Sequence, residues 1–141
     1  MTLKQTKCTI IKNILGLHFQ LILREDIGDQ KFSLLDESTD ISVKKYLGMA
    51  VRYYSKTTGR FVSTFLKLVP LIECNADGLV EAVKNTLKEF QLQLSNLIGI
   101  ATDNANVMVG VNNGVYQKLK QEVPSLILIR LVVLLIFLFF I

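Results

Sequence analysis

Between Tyr46 and Val69 the chain alternates on either side of one turn, and this pattern limits the fold more than any other feature. Leu47, Met49, Val51 and Tyr53 fall on one face of an extended strand, with Gly48, Ala50 and Arg52 on the other. Ser55-Lys56-Thr57-Thr58-Gly59 is made of turn-forming residues, and Arg60 to Val69 reads as a further strand ended by Pro70. The two strands predict an antiparallel hairpin.

The rest of the chain is read around that hairpin. Upstream, Ile10, Ile11, Ile14 and Leu15 have the spacing of one helical face, weakened by Gly16, and Ile27-Gly28-Asp29 reads as a turn. Lys31 to Leu35 is a short strand that runs into Asp36-Glu37-Ser38-Thr39-Asp40. Downstream, Asn75-Ala76-Asp77-Gly78 opens a helix from Leu79 to about Gln93, with Asp77 as the expected cap. Leu97 to Ala101 is a compact apolar strand, Asn113 to Glu122 a second helix stopped by Pro124, and Leu126 to Arg130 a fifth strand. The predicted order is β-β-β-α-β-α-β. Two crossovers make the later strands parallel, so the fold class is α/β with a sheet of mixed direction.

At 141 residues there is room for one domain, and 50% hydrophobic residues supply a packed core. The net charge of +4 permits a nucleic-acid partner without demanding one. Cys8, Cys74 and His18 form no CxxC or HxxxH spacing, which excludes a structural zinc site. The two cysteines read as inert thiols and His18 as a packed or half-exposed histidine. Residues 1–12 lack the apolar core and cleavage site of a signal peptide. Leu126 to Ile141 is apolar except for Arg130. As a helix it would span roughly 24 Å against about 30 Å of bilayer hydrocarbon. Three readings stay open: a buried strand followed by an aberrant tail at 131–141, a tail anchor, or a continuous core element.

Chemistry points to Asp36 and Asp103. Each follows a short apolar strand expected to be central in the sheet. If the strands are neighbours, the carboxylates converge at one end of the sheet, where two anions about 4 Å apart repel unless a cation neutralises them. Mg²⁺ suits one or two carboxylates, waters and a substrate phosphate, and two such ions serve phosphodiester chemistry. The plain alternative is that each Asp caps a turn. Asp40 reads as a substitute ligand or a polar turn residue. Lys44, Lys45, Arg52, Lys56 and Arg60 gather around the hairpin with Tyr46, Tyr53 and Tyr54 between them. Such a surface can follow a phosphate backbone and stack on bases, or be an ordinary solvated hairpin.

Phe32-Ser33-Leu34-Leu35-Asp36-Glu37-Ser38-Thr39-Asp40 resembles the opening block of hAT-type transposases and the zinc-finger proteins derived from them. Gly99-Ile100-Ala101-Thr102-Asp103-Asn104-Ala105-Asn106-Val107-Met108 resembles their second acidic block. The likeness covers roughly residues 5–130. It implies an RNase H-like core and metal-dependent, cut-and-paste DNA transposition by two Asp and one Glu. Asp36 and Asp103 match the first two carboxylates, and Mg²⁺ or Mn²⁺ is the implied cofactor. DNA is the implied partner and the nucleus the implied location; a membrane partner is not expected. The chain departs from the pattern in three ways: the first block is one residue short before Asp36, the Cys and His after strand five are missing, and the third carboxylate is not reached.

The expected division is a helical lead-in at 1–29, a partial RNase H-like core at 30–130 truncated after the fifth strand, and an out-of-frame apolar tail at 131–141. The expected function is that of a truncated hAT-like transposase core, catalytically inactive because the third carboxylate is absent. The alternatives are a non-catalytic binding protein for nucleic acid or a partner, and a tail-anchored, membrane-associated fragment. A third reading takes Asp36-x-Ser38 as the start of an adhesion-type ion site. That fold needs a helical crossover after the motif, so an antiparallel hairpin there would remove it.

Overall fold

Three consecutive strands carry the first half of the domain: β1 (Phe32–Ile41), β2 (Lys44–Ser55) and β3 (Arg60–Pro70). The computed structural model describes residues 7, 9–41, 44–102, 110 and 113–130, with the backbone alone at 36–41, 44 and 130. The predicted hairpin is present. β2 and β3 pair antiparallel from Ser55 opposite Arg60 to Tyr46 opposite Pro70, with a register shift between Met49 and Ala50. That pairing removes the adhesion-type reading.

The described strands form one five-stranded mixed sheet in the order β3-β2-β1-β4-β5, where β4 is Leu97–Thr102 and β5 is Ile127–Arg130. β1 is central, antiparallel to β2 and parallel to β4. β5 continues the parallel half, with Thr102 opposite Arg130. The mixed α/β class and the element order are those expected.

Two helices cover one face of the sheet, namely α2 (Ala76–Glu89) and α3 (Val115–Glu122). Leu79, Val80, Val83 and Leu87 of α2 and Val115 and Leu119 of α3 join Phe32, Leu34, Leu47, Met49, Val51 and Ile100 in one core cluster. Each such side chain, fully buried, contributes about 1.5–3 kcal/mol. The cap of α2 is Asn75 rather than Asp77: its side chain accepts the Gly78 N–H at 2.8 Å. The helix therefore starts three residues earlier than its apolar stripe. Gly78 is needed at that turn, because a Cβ there would lie 2.7 Å from the Glu73 carbonyl oxygen. Asp77 instead pairs with Lys118 at 2.8 Å, and Lys84 pairs with Glu122, tying α2 to α3 at the surface.

The first helix behaves differently. A π-helical turn at Ile11–Leu15 leads into α1 (Gly16–Ile27). Ile27 is buried and Leu23 half-buried, while Leu17, Phe19, Leu21 and Ile22 are 47–66% exposed. Ile10, Ile11, Ile14 and Leu15 are exposed as well. The predicted helical spacing is real, but its apolar face points away from the sheet. Gly28 closes α1 with φ +55°, which only glycine adopts easily.

The face of the sheet opposite α2 and α3 is open at its β3 edge. Phe61, Phe65 and Leu68 are 63%, 64% and 45% exposed. Among the described residues no helix is long and apolar enough to cross a membrane. The readings of residues 131–141 fall outside the described residues.

Candidate functional site

Asp36 lies inside β1 rather than at its end. The polar run Asp36 to Asp40 has the composition of a loop. It is nonetheless held as strand, because β2 supplies a partner at every position, from Asp36 opposite Met49 to Asp40 opposite Lys45. The ladder to β4 is shorter. Its last rung is Leu35 opposite Ala101, so Asp36 is the first β1 residue beyond it. β4 ends at Thr102, whose side chain is fully buried. Asp103 follows directly and lies outside the described residues; only the backbone of Asp36 and Asp40 is described. The expected adjacency of strands one and four is therefore present, with the two parallel. Beside the paired part of the two strands lies an apolar layer of Leu34, Met49, Val83, Ile100 and Val115. Among the described residues no group of three or more His, Cys, Asp or Glu could hold a metal ion.

The basic residues of the hairpin divide into two groups. Lys44 and Lys45 stand at one end of β2, and Lys56 and Arg60 at the other, at the turn. From Lys45 to Lys56 is eleven residues, about 36 Å of strand. Lys45 and Arg60 are exposed, and Arg52 is half-buried. The Arg52 guanidinium sits 5.9 Å from the centre of the Phe61 ring and donates to Ser63 Oγ at 3.4 Å. Lys56 leans over the end of α1, where a Cβ on Gly28 would lie 2.5 Å from its Nζ.

The three tyrosines read as interleaved with these cations also separate. Tyr54 is 44% exposed, packs edge-on against Phe61 at 5.4 Å and donates to the Gly59 carbonyl at 2.8 Å. Tyr46 is half-buried. Tyr53 is buried on the core side and donates to Asp26 at 2.8 Å. Alternation puts residues 53 and 54 on opposite faces, so they cannot share one surface.

Asp26 was not anticipated. Its carboxylate accepts from Tyr53 and from both the backbone N–H (2.9 Å) and the hydroxyl (2.7 Å) of Thr57. Burial pushes its pKa up. The hydrogen bonds from Thr57, Ser55 and Tyr53 together outweigh burial and hold the carboxyl well below the usual range. Burial and the Asp26 charge push the Tyr53 hydroxyl up to about 12. This clasp fastens the end of α1 to the hairpin turn. Among the described residues it is the carboxylate most strongly bonded to its surroundings, and its role is architectural. No motif marks it, because its partners lie 27 and 31 residues away. Cys74 is a free, exposed thiol.

Comparison with known families gives one finding. Residues 3–114 match the family described as ZMYM1/FAM200, RNase-like domain (DUF4371).

Proposed function

Because the chain belongs to the ZMYM1/FAM200 RNase-like domain family, which is transposase-derived, we propose that its sheet is an RNase H-like core of hAT type in which Asp36 and Asp103 are the first two metal-binding carboxylates. The observation that carries this reading is the parallel β1–β4 pair. Both aspartates follow it closely in sequence, Asp36 one residue after Leu35 and Asp103 two after Ala101. The donor set fits the group: two hard carboxylate oxygen ligands suit Mg²⁺ or Mn²⁺. A cation held there would offset the repulsion of the pair and polarise a phosphate of nuclear DNA. The residues' own part is to supply two carboxylates, Asp36 within β1 and Asp103 directly after β4 in sequence.

Taken alone, this 141-residue polypeptide is expected to bind the cation without cutting DNA, since two carboxylates fall one ligand short of the family's triad. Titration with Mn²⁺, followed by its electron paramagnetic resonance signal, tests the site. Asp36→Asn and Asp103→Asn should each weaken binding at least tenfold, and binding indifferent to both variants would remove the site. A nicking assay with Mg²⁺ or Mn²⁺ tests the inactivity. Robust cleavage abolished by Asp36→Ala would overturn it.

A second reading, nucleic-acid contact by the hairpin, is favoured by charge. Between Ile41 and Ile72 stand Lys44, Lys45, Arg52, Lys56, Arg60 and Lys67, with no Asp or Glu. Of these, Lys67 is paired with Glu89.

A further inference from the structure

We propose that the open face of the β2–β3 hairpin is a stacking platform for an unpaired nucleic-acid strand, with bases on Phe61 and Phe65 and a phosphate at Arg52. The proposal rests on the hairpin reading above and narrows it from nucleic acid in general to the single-stranded form.

The first support is the placement of the rings. Tyr54 and Phe61 are directly opposite each other, and Phe65 lies four residues further along β3, opposite Ala50. Four residues of strand are about 13 Å, room for bases at two separated points. All three rings belong to the face opposite the core and are 44–64% exposed. Exposed aromatic rings grouped on one sheet face are the kind of patch that marks an interaction site. β3 is also an edge strand, so the platform is open along one side.

The second support is the company the rings keep. Arg52 lies over Phe61, which leaves a cation beside the aromatic surface. Arg60, opposite the buried Ser55, belongs to the other face and serves the turn rather than the platform. Neither β2 nor β3 contains a carboxylate. A second copy of this chain would bring the same cations against one another, and an acidic backbone would neutralise them. A duplex keeps its base faces stacked inward and out of reach of rings on a sheet. An unpaired strand offers both the faces and the phosphates.

The experiment is fluorescence anisotropy with the whole 141-residue chain and a labelled dT 20-mer, against a duplex of the same length, at low and moderate salt. The dT strand should bind at least tenfold more tightly than the duplex. Phe61→Ala and Phe65→Ala should each weaken dT binding by roughly 5- to 150-fold, the range of one base stacked on one ring. Phe61→Tyr should retain it, which separates loss of stacking from loss of folding. Equal affinity for strand and duplex, lost in Arg52→Ala and Arg60→Ala but kept in the ring variants, would overturn the platform and leave the hairpin reading standing. No binding of either probe would remove both. A sedimentation shift to smaller species in Phe61→Ala, with dT binding unchanged, would assign the face to self-association instead and overturn the platform.

Discussion

Helices α1 and α2 carry similar amounts of apolar side chain and use them in opposite ways. In α2, Leu79, Val80, Val83 and Leu87 all enter the core, and Glu81, Lys88 and Glu89 face water. In α1, the side turned to the protein is Gly16, Gln20, Leu23 and Ile27, while Leu17 and Leu21 face outward and Phe19 and Ile22, though exposed, border the cleft between the helix and the hairpin. An apolar stripe is turned inward only where a sheet face is available to receive it. The position of α1 is set instead by its last turn, where Ile27 is buried and Asp26 is clasped by the hairpin.

This contrast can be broken or sharpened by substitution. Leu87 is 2% exposed, so Leu87→Ala should cost about 2–5 kcal/mol, read from urea denaturation. A loss under 1 kcal/mol would mean that α2 is not packed as described. Asp26→Asn should cost roughly 1–3 kcal/mol, because hydrogen bonds to a charged acceptor are lost. The same clasp gives a pH signature of known sign. The Asp26 pKa is depressed in the fold, so its contribution is present above the unfolded value near 4 and is lost as pH falls below it. The Tyr53 pKa is raised from 10.0 to about 12, so its contribution is complete below pH 10 and is lost as pH climbs towards 12. Both slopes should flatten in Asp26→Asn. The smallest effect belongs to the outward face of α1. Leu17→Gln and Leu21→Gln should change stability by no more than about 0.5 kcal/mol while raising solubility. A loss as large as that of Leu87→Ala would show that this face is covered in solution.

The contrast also shows which features were legible in the sequence. Period-two alternation from Leu47 to Tyr53 identified a strand with one buried face, and the turn chemistry of residues 55–59 identified its partner. Both are local signals, and both are present in the fold. The length of β1 was not legible. Asp36 to Asp40 form strand because β2 pairs with them, an interaction that their composition opposes. The cap of α2 was misplaced by two residues, since Asn75 and Asp77 are both cap formers and geometry alone selects the first. The outward turn of α1 was hidden for a similar reason: periodicity reveals a stripe but not its destination. In the hairpin, sequence order set the tyrosines among the cations. Pleating then took Tyr53 into the core and left Phe61 and Phe65 as the exposed rings, on a strand read only as the partner of β2.

The Asp26 clasp also constrains the order of assembly. Its acceptor precedes all three strands, and its donors belong to a turn and a strand about thirty residues later. A hairpin closes locally, on a microsecond scale. The leading helix seats Ile27 and Leu23 on the core, and its clasp can close only once that turn exists. A chain emerging from its amino end would therefore make its first helix early and berth it late.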